Sequence, residues 1–128
     1  NGGMCYCGKL GCVETVISGP ATERYYHQIS GEKKPLKEIV EEYRQHSNEY
    51  ATQTMERLFE NFGKALSVII NIIDPDAIVI GGGVGNIDEL YVHGVERLKQ
   101  HIFNPILKTP ILKPKLGDSA GVYGAALL

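Results

Sequence analysis

Cys5-Tyr6-Cys7-Gly8-Lys9-Leu10-Gly11-Cys12-Val13-Glu14 carries every cysteine of the 128-residue chain. Three thiols this close, threaded with Gly8 and Gly11, read as a metal-binding loop, because glycine lets a backbone turn tightly enough for several sulfurs to converge on one ion. A tetrahedral zinc site needs four ligands, and three cysteines with one histidine is a common set. The competing readings are unrelated cysteines, or a disulfide with one thiol left over. Clustering argues against the first, and the odd count in a chain with no secretory signal argues against the second. The fourth ligand is not evident. His27 is the nearest histidine downstream, whereas His46, His93 and His101 fall in segments that read as helix or helix end.

Working outward, residues 13–18 can begin a helix that Gly19-Pro20 interrupts. Pro20 suits the first turn of a second helix over residues 21–29. A polar loop follows at residues 30–34, and Pro35 opens a short amphipathic helix over 36–46, with Leu36, Ile39, Val40 and Tyr43 on one face. The longest helix is expected over residues 48–73. Ala51, Met55, Leu58, Phe59, Phe62, Ala65, Leu66, Ile69 and Ile73 recur at steps of three and four, with Glu56, Arg57, Glu60 and Lys64 outside. Residues 68–73 are apolar nearly all round, which predicts burial on more than one side. Gly63 inside this helix predicts a close approach, since glycine there costs about 1 kcal/mol against alanine. Asp74-Pro75 ends the helix.

Ala77-Ile78-Val79-Ile80 reads as a central parallel strand. Gly81-Gly82-Gly83 then forms a loop, Asn86 can cap a helix over 87–103, and residues 104–114, with three prolines, are extended. Residues 111–116 suit an edge strand, 117–119 a turn and 120–128 a small-residue helix. The pattern is α/β, one domain over residues 1–128. Hydrophobic content of 43% and charged content of 22% are ordinary for a globular chain. A net charge of -2 gives no reason to expect nucleic acid or an anionic membrane as partner. Reduced thiols and the absence of a targeting or bilayer-spanning segment point to the cytoplasm.

Two positions outside the thiols invite a chemical reading. Glu14 is either a carboxylate favoured by a helix N-terminus or a fixed acceptor for hydroxyl groups of a ligand. Gly81, Gly82 and Gly83 form either a tight strand–helix turn or a backbone cradle for a nucleotide. They match neither a Walker loop nor the dinucleotide pattern. Asp74, Asp76 and Asp118 sit in turns where aspartate makes local hydrogen bonds.

The spacing Cys-x-Cys-Gly-x-x-Gly-Cys-x-Glu followed by Ser18-Gly19 resembles the zinc motif of the ROK family of sugar kinases and sugar-responsive repressors. Asp74 to Gly83 and Gly117 to Ala126 resemble that family's later motifs in the same order, with the bacterial fructokinase and N-acetylglucosamine kinase branch nearest. The resemblance implies an actin-like (ribonuclease-H-like) ATPase domain, here its C-terminal lobe with a zinc knuckle, the other lobe lying before Asn1. It implies a structural zinc held by Cys5, Cys7 and Cys12, with a histidine shortly before the first cysteine as the fourth ligand. Glu14 would contact the sugar and Gly81, Gly82 and Gly83 would contact ATP. The catalytic base would be an aspartate of the upstream lobe, outside this chain. The activity implied is phosphoryl transfer from magnesium-bound ATP to a hexose hydroxyl, in a protein that is often a homodimer. The family's other role is a sugar-sensing repressor with an upstream helix-turn-helix, for which an intact glycine loop is not needed.

Overall fold

The computed structural model describes residues 2–115, so Leu116, the turn expected at 117–119 and the helix expected at 120–128 lie outside the described residues. Two compact units divide the chain, Asn1–Asn61 and Phe62–Leu128.

The first unit holds α1 (Glu14–Ile17), α2 (Gly19–Ser30), α3 (Leu36–Arg44) and the start of α4 (Glu49–Ile73). Ser18 separates α1 from α2 by turning extended, at φ -72° and ψ 158°. Its Oγ accepts the Ala21 N–H at 3.2 Å, a standard cap, with Pro20 placed in the first turn. Gly31, at φ 78°, ends α2, and Pro35 precedes α3. Asn48 caps α4 through Oδ1, which accepts the Tyr50 N–H at 2.9 Å. Its Nδ2 donates to the Tyr26 hydroxyl and to Glu42, tying α2, α3 and α4 at one point. Beneath that tie lie Tyr26, Ile39, Ala51, Met55, Leu58 and Phe59, all buried. Tyr43 packs edge-on against Phe59 with ring centroids 5.7 Å apart. Arg57, expected to face solvent, is half-buried. It covers the Tyr25 ring at 4.4 Å and donates to the Val16 carbonyl, so a long cation has been used as packing.

In the second unit, α5 (His93–His101) packs against the later turns of α4. A Cβ on Gly63 would stand 2.6 Å from the Leu98 backbone nitrogen, and one on Gly94 would stand 2.7 Å from Phe62 Cδ1. The close approach expected at Gly63 is therefore present. Two short strands, β1 (Ile78–Val79) and β2 (Ile111–Leu112), pair in parallel with Ile78 opposite Ile111. The expectation of a central strand is corrected: among the described residues β1 has one neighbour, and Val79 is exposed. A second correction concerns the helix expected over 87–103. Two 3-10 turns, Gly83–Asn86 and Asp88–Tyr91, come first, and Asn86 ends the first of them, the α-helix starting later, after Val92. Ile87 and Leu90 are buried by this winding, and Tyr91 donates to the Gly85 carbonyl at 2.7 Å. Tertiary anchoring has overridden helical periodicity here. A third correction applies to the end of α4. Leu66 and Ile70 are buried, but Val68, Ile69, Ile72 and Ile73 are exposed, because the described residues cover one side of the helix only. Phe103 and Ile106 are exposed as well. No helix among the described residues is long and apolar enough to cross a membrane.

Candidate functional site

The cysteine loop is a small hairpin. Met4 and Leu10 form an antiparallel bridge, the Cys5 N–H donates to the Lys9 carbonyl at 2.8 Å, and the Gly8 N–H donates to the Cys5 carbonyl at 2.9 Å. Gly8 and Gly11 adopt φ of 81° and 77°, the left-handed conformation that makes the two reversals possible. At the exit, the Cys12 carbonyl accepts both the N–H and the hydroxyl of Thr15, which locks the loop onto α1.

This hairpin brings the three sulfurs together. All lie within 4.8 Å of one another, and none is in a disulfide. The Cys7 and Cys12 sulfurs are 3.5 Å apart, against about 3.8 Å for the edge of a tetrahedron with zinc–thiolate bonds of about 2.3 Å. The donor set therefore fits a thiophilic cation such as zinc. As thiols, Cys7 and Cys12 lie within hydrogen-bonding reach of each other. The Lys9 N–H, then the Cys12 thiol, hold Cys7 below its ordinary value, whereas donating to Cys7 pushes Cys12 up to about 11. A bound dication would favour the thiolate at all three. No histidine joins this group among the described residues. His27 faces a different cavity with Glu23, Lys33 and Pro35.

Glu14 opens α1, a helix of four residues, too short to develop much of a dipole, and Val13 makes no side-chain cap. Helix capping therefore accounts poorly for this carboxylate. It is exposed, with no hydrogen bond or ion pair among the described residues, and it lines a cavity of about 350 Å³. Met4, Tyr6, Ser18, Pro20 and Arg24 share that cavity, as does Cys5. The cysteine loop thus forms one wall of the space into which an unpartnered carboxylate opens. Arg24 escaped the sequence reading. It stands four residues after Pro20, on the same face of α2, but that spacing does not say which face turns towards the cysteine loop.

Gly81, Gly82 and Gly83 belong to the second unit, just after β1. Gly82 needs to be glycine, with φ 77°. Its neighbours do not: a Cβ on Gly81 or Gly83 would meet no atom within 4 Å. A tight turn explains one glycine of three, and the other two leave the backbone bare on an exposed loop. Gly85 is different, since a Cβ there would strike the Ile80 carbonyl oxygen. Asp74, at φ 48°, closes α4 through its N–H to the Ile70 carbonyl, a structural role for one of the acids noted in the sequence.

The model of the ROK family matches residues 1–128. The chain belongs to the ROK family. N-acetyl-D-glucosamine kinase from Pectobacterium atrosepticum is 38% identical over 97% of the chain. The kinase of that name from Haemophilus influenzae is 36% identical over 98%. The chain spans about 40% of the length of these relatives. Among solved structures, a ROK family glucokinase from Streptomyces griseus in complex with glucose and AMPPNP is 27% identical. It covers 98% of this chain, 46% of its own length is matched, and the TM-score is 0.83. ROK hexokinase from Thermus thermophilus is also 27% identical with a TM-score of 0.83, over 98% of this chain and 42% of that one. This ROK chain accordingly has the fold of the matching part of those sugar kinases, as the sequence resemblance implied.

Proposed function

We propose that the protein carrying this chain is an ATP-dependent sugar kinase that phosphorylates a hydroxyl of N-acetylglucosamine. The observation that carries the reading is Glu14, an unpartnered carboxylate in a sugar-sized cavity walled by the cysteine loop. The names of the relatives support N-acetylglucosamine over fructose. A ROK family transcriptional regulator is 24% identical with a TM-score of 0.69, a likeness that carries the fold and not the repressor role.

In this reading Glu14 accepts hydrogen bonds from the sugar hydroxyls and fixes the ring for in-line attack on the γ-phosphate. Gly81, Gly82 and Gly83 let the nucleotide lie against bare backbone, with ATP arriving as its magnesium complex. Cys5, Cys7 and Cys12 would hold a zinc ion, which when bound supplies a rigid tie for the loop beside Glu14. No residue of this chain is assigned as the base that takes the hydroxyl proton.

Glu14→Gln in the complete protein keeps the shape and removes the charge. Steady-state kinetics should show sugar kcat/KM falling by about tenfold or more, a charge-assisted hydrogen bond being worth about 1.5–3 kcal/mol, with the ATP KM unmoved. An unchanged sugar KM and kcat would remove Glu14 from the site.

A further inference from the structure

A second cavity, of about 480 Å³, lies between α2 and the loop leading to α3, lined by Glu23, Arg24, His27, Lys33, Lys34 and Pro35. Pro20 and Arg24 belong to both this cavity and the one that holds Glu14, so the two adjoin. The whole chain carries a net charge of -2, yet the lining here is basic. Its one carboxylate, Glu23, is engaged in accepting the Leu36 N–H at 2.7 Å. Lys34 is also engaged, by Glu42 and by the exposed Glu32. Arg24, His27 and Lys33 are different: they have no side-chain hydrogen bond or ion pair among the described residues.

We propose that this groove binds the phosphate group of a small phosphate ester. The guanidinium of Arg24 offers a planar pair of donors to phosphate oxygens, the Lys33 ammonium offers a mobile point charge, and the His27 ring adds an N–H. Basic side chains that line one concave surface, with no partner among the described residues, are the feature a bound anion satisfies. The volume falls within the range of about 300–1,000 Å³ usual for small-molecule sites, which leaves room for the organic part of the ligand. Pro20 and Pro35 give that part apolar walls. Because Arg24 also edges the Glu14 cavity, a phosphorylated sugar is a ligand whose two halves match the two sides of Arg24. The anion site itself does not require Glu14 to bind sugar.

The test is isothermal titration of the complete protein with inorganic phosphate, with a hexose 6-phosphate and with the unphosphorylated hexose. Wild type, Lys33→Glu, Lys33→Arg and Glu14→Gln are compared. Lys33 is exposed and lies outside the Glu14 cavity, so both Lys33 variants should fold and bind free hexose as before. Lys33→Glu should weaken the phosphate ligands by about tenfold or more, and Lys33→Arg should restore them, as expected of a charge-assisted contact. A hexose 6-phosphate binding more tightly than inorganic phosphate identifies the ester as the ligand; equal affinities identify free phosphate. Equal affinities of the phosphate ligands for wild type and Lys33→Glu, or no binding of either, would overturn the proposal. So would hexose 6-phosphate binding abolished by Glu14→Gln and untouched by Lys33→Glu, which would place that ligand wholly in the Glu14 cavity.

Discussion

Gly63 sets two known effects against each other. Helix propensity alone says that alanine at this position should stabilise the protein by about 1 kcal/mol. Packing says the reverse, because the new methyl would stand 2.6 Å from the Leu98 nitrogen and 2.8 Å from Arg97 atoms, and backbone cannot yield as a side-chain tip can. Overpacking costs about 1–3 kcal/mol, so Gly63→Ala should lower stability in urea unfolding. A stabilised variant would mean that the helix crossing is looser than described. That Gly63 marks a close approach was legible from its place in an apolar helix. Arg24 was not, because its significance depends on which face of α2 turns towards the cysteine loop, and no spacing within residues 1–30 specifies that.

Among the elements, the cysteine hairpin is the one whose stability a metal should govern. Its own cohesion is slight: two turns, one isolated bridge and the Cys12–Thr15 bonds, with Met4, Tyr6 and Leu10 exposed. A thiolate-bound zinc contributes directly to folding free energy. Treatment with a strong chelator should therefore lower the melting temperature, and elemental analysis of untreated protein should find zinc. Unchanged melting together with no metal would dismiss the site. Helix boundaries at this scale were legible wherever a cap or a proline enforced them, at Pro20, Pro35, Asn48 and Asp74. The segment from Asn86 to Val92 was misread because Ile87 and Leu90, three apart, satisfy a 3-10 turn as well as an α-helix. Only the bond from Tyr91 to the Gly85 carbonyl and the burial of both side chains decide between them. The exposed end of α4 was misread for a related reason: an all-apolar run states that cover is needed, not where in the chain the cover lies.

For the whole molecule, stability and activity each give a test. Glu42 is held below the usual glutamate range by the Lys34 ammonium first and by the Asn48 amide after it. Native protein therefore binds fewer protons at this site than unfolded protein, and the pairing stabilises the fold above the ordinary glutamate value of about 4.3. That contribution is lost as pH falls through the depressed native value. Thermal unfolding across pH 7 to about 3 should find Glu42→Gln less stable than wild type at neutral pH, with the gap closing on the acid side. A gap independent of pH would mean that the carboxylate charge is not what matters at this junction. The α/β class, the parallel pairing and the convergence of Cys5, Cys7 and Cys12 all followed from the sequence, because each rests on local spacing. The single neighbour that β1 has among the described residues did not, since strand order is a property of the assembled sheet.

Catalysis by the complete protein is the most direct test of the kinase reading. ADP release by the complete protein should be followed with ATP and magnesium against N-acetylglucosamine, glucose, fructose and mannose. Turnover is predicted, fastest with N-acetylglucosamine. No ADP release with any of these sugars, from protein shown to contain metal and to bind sugar, would contradict the kinase reading.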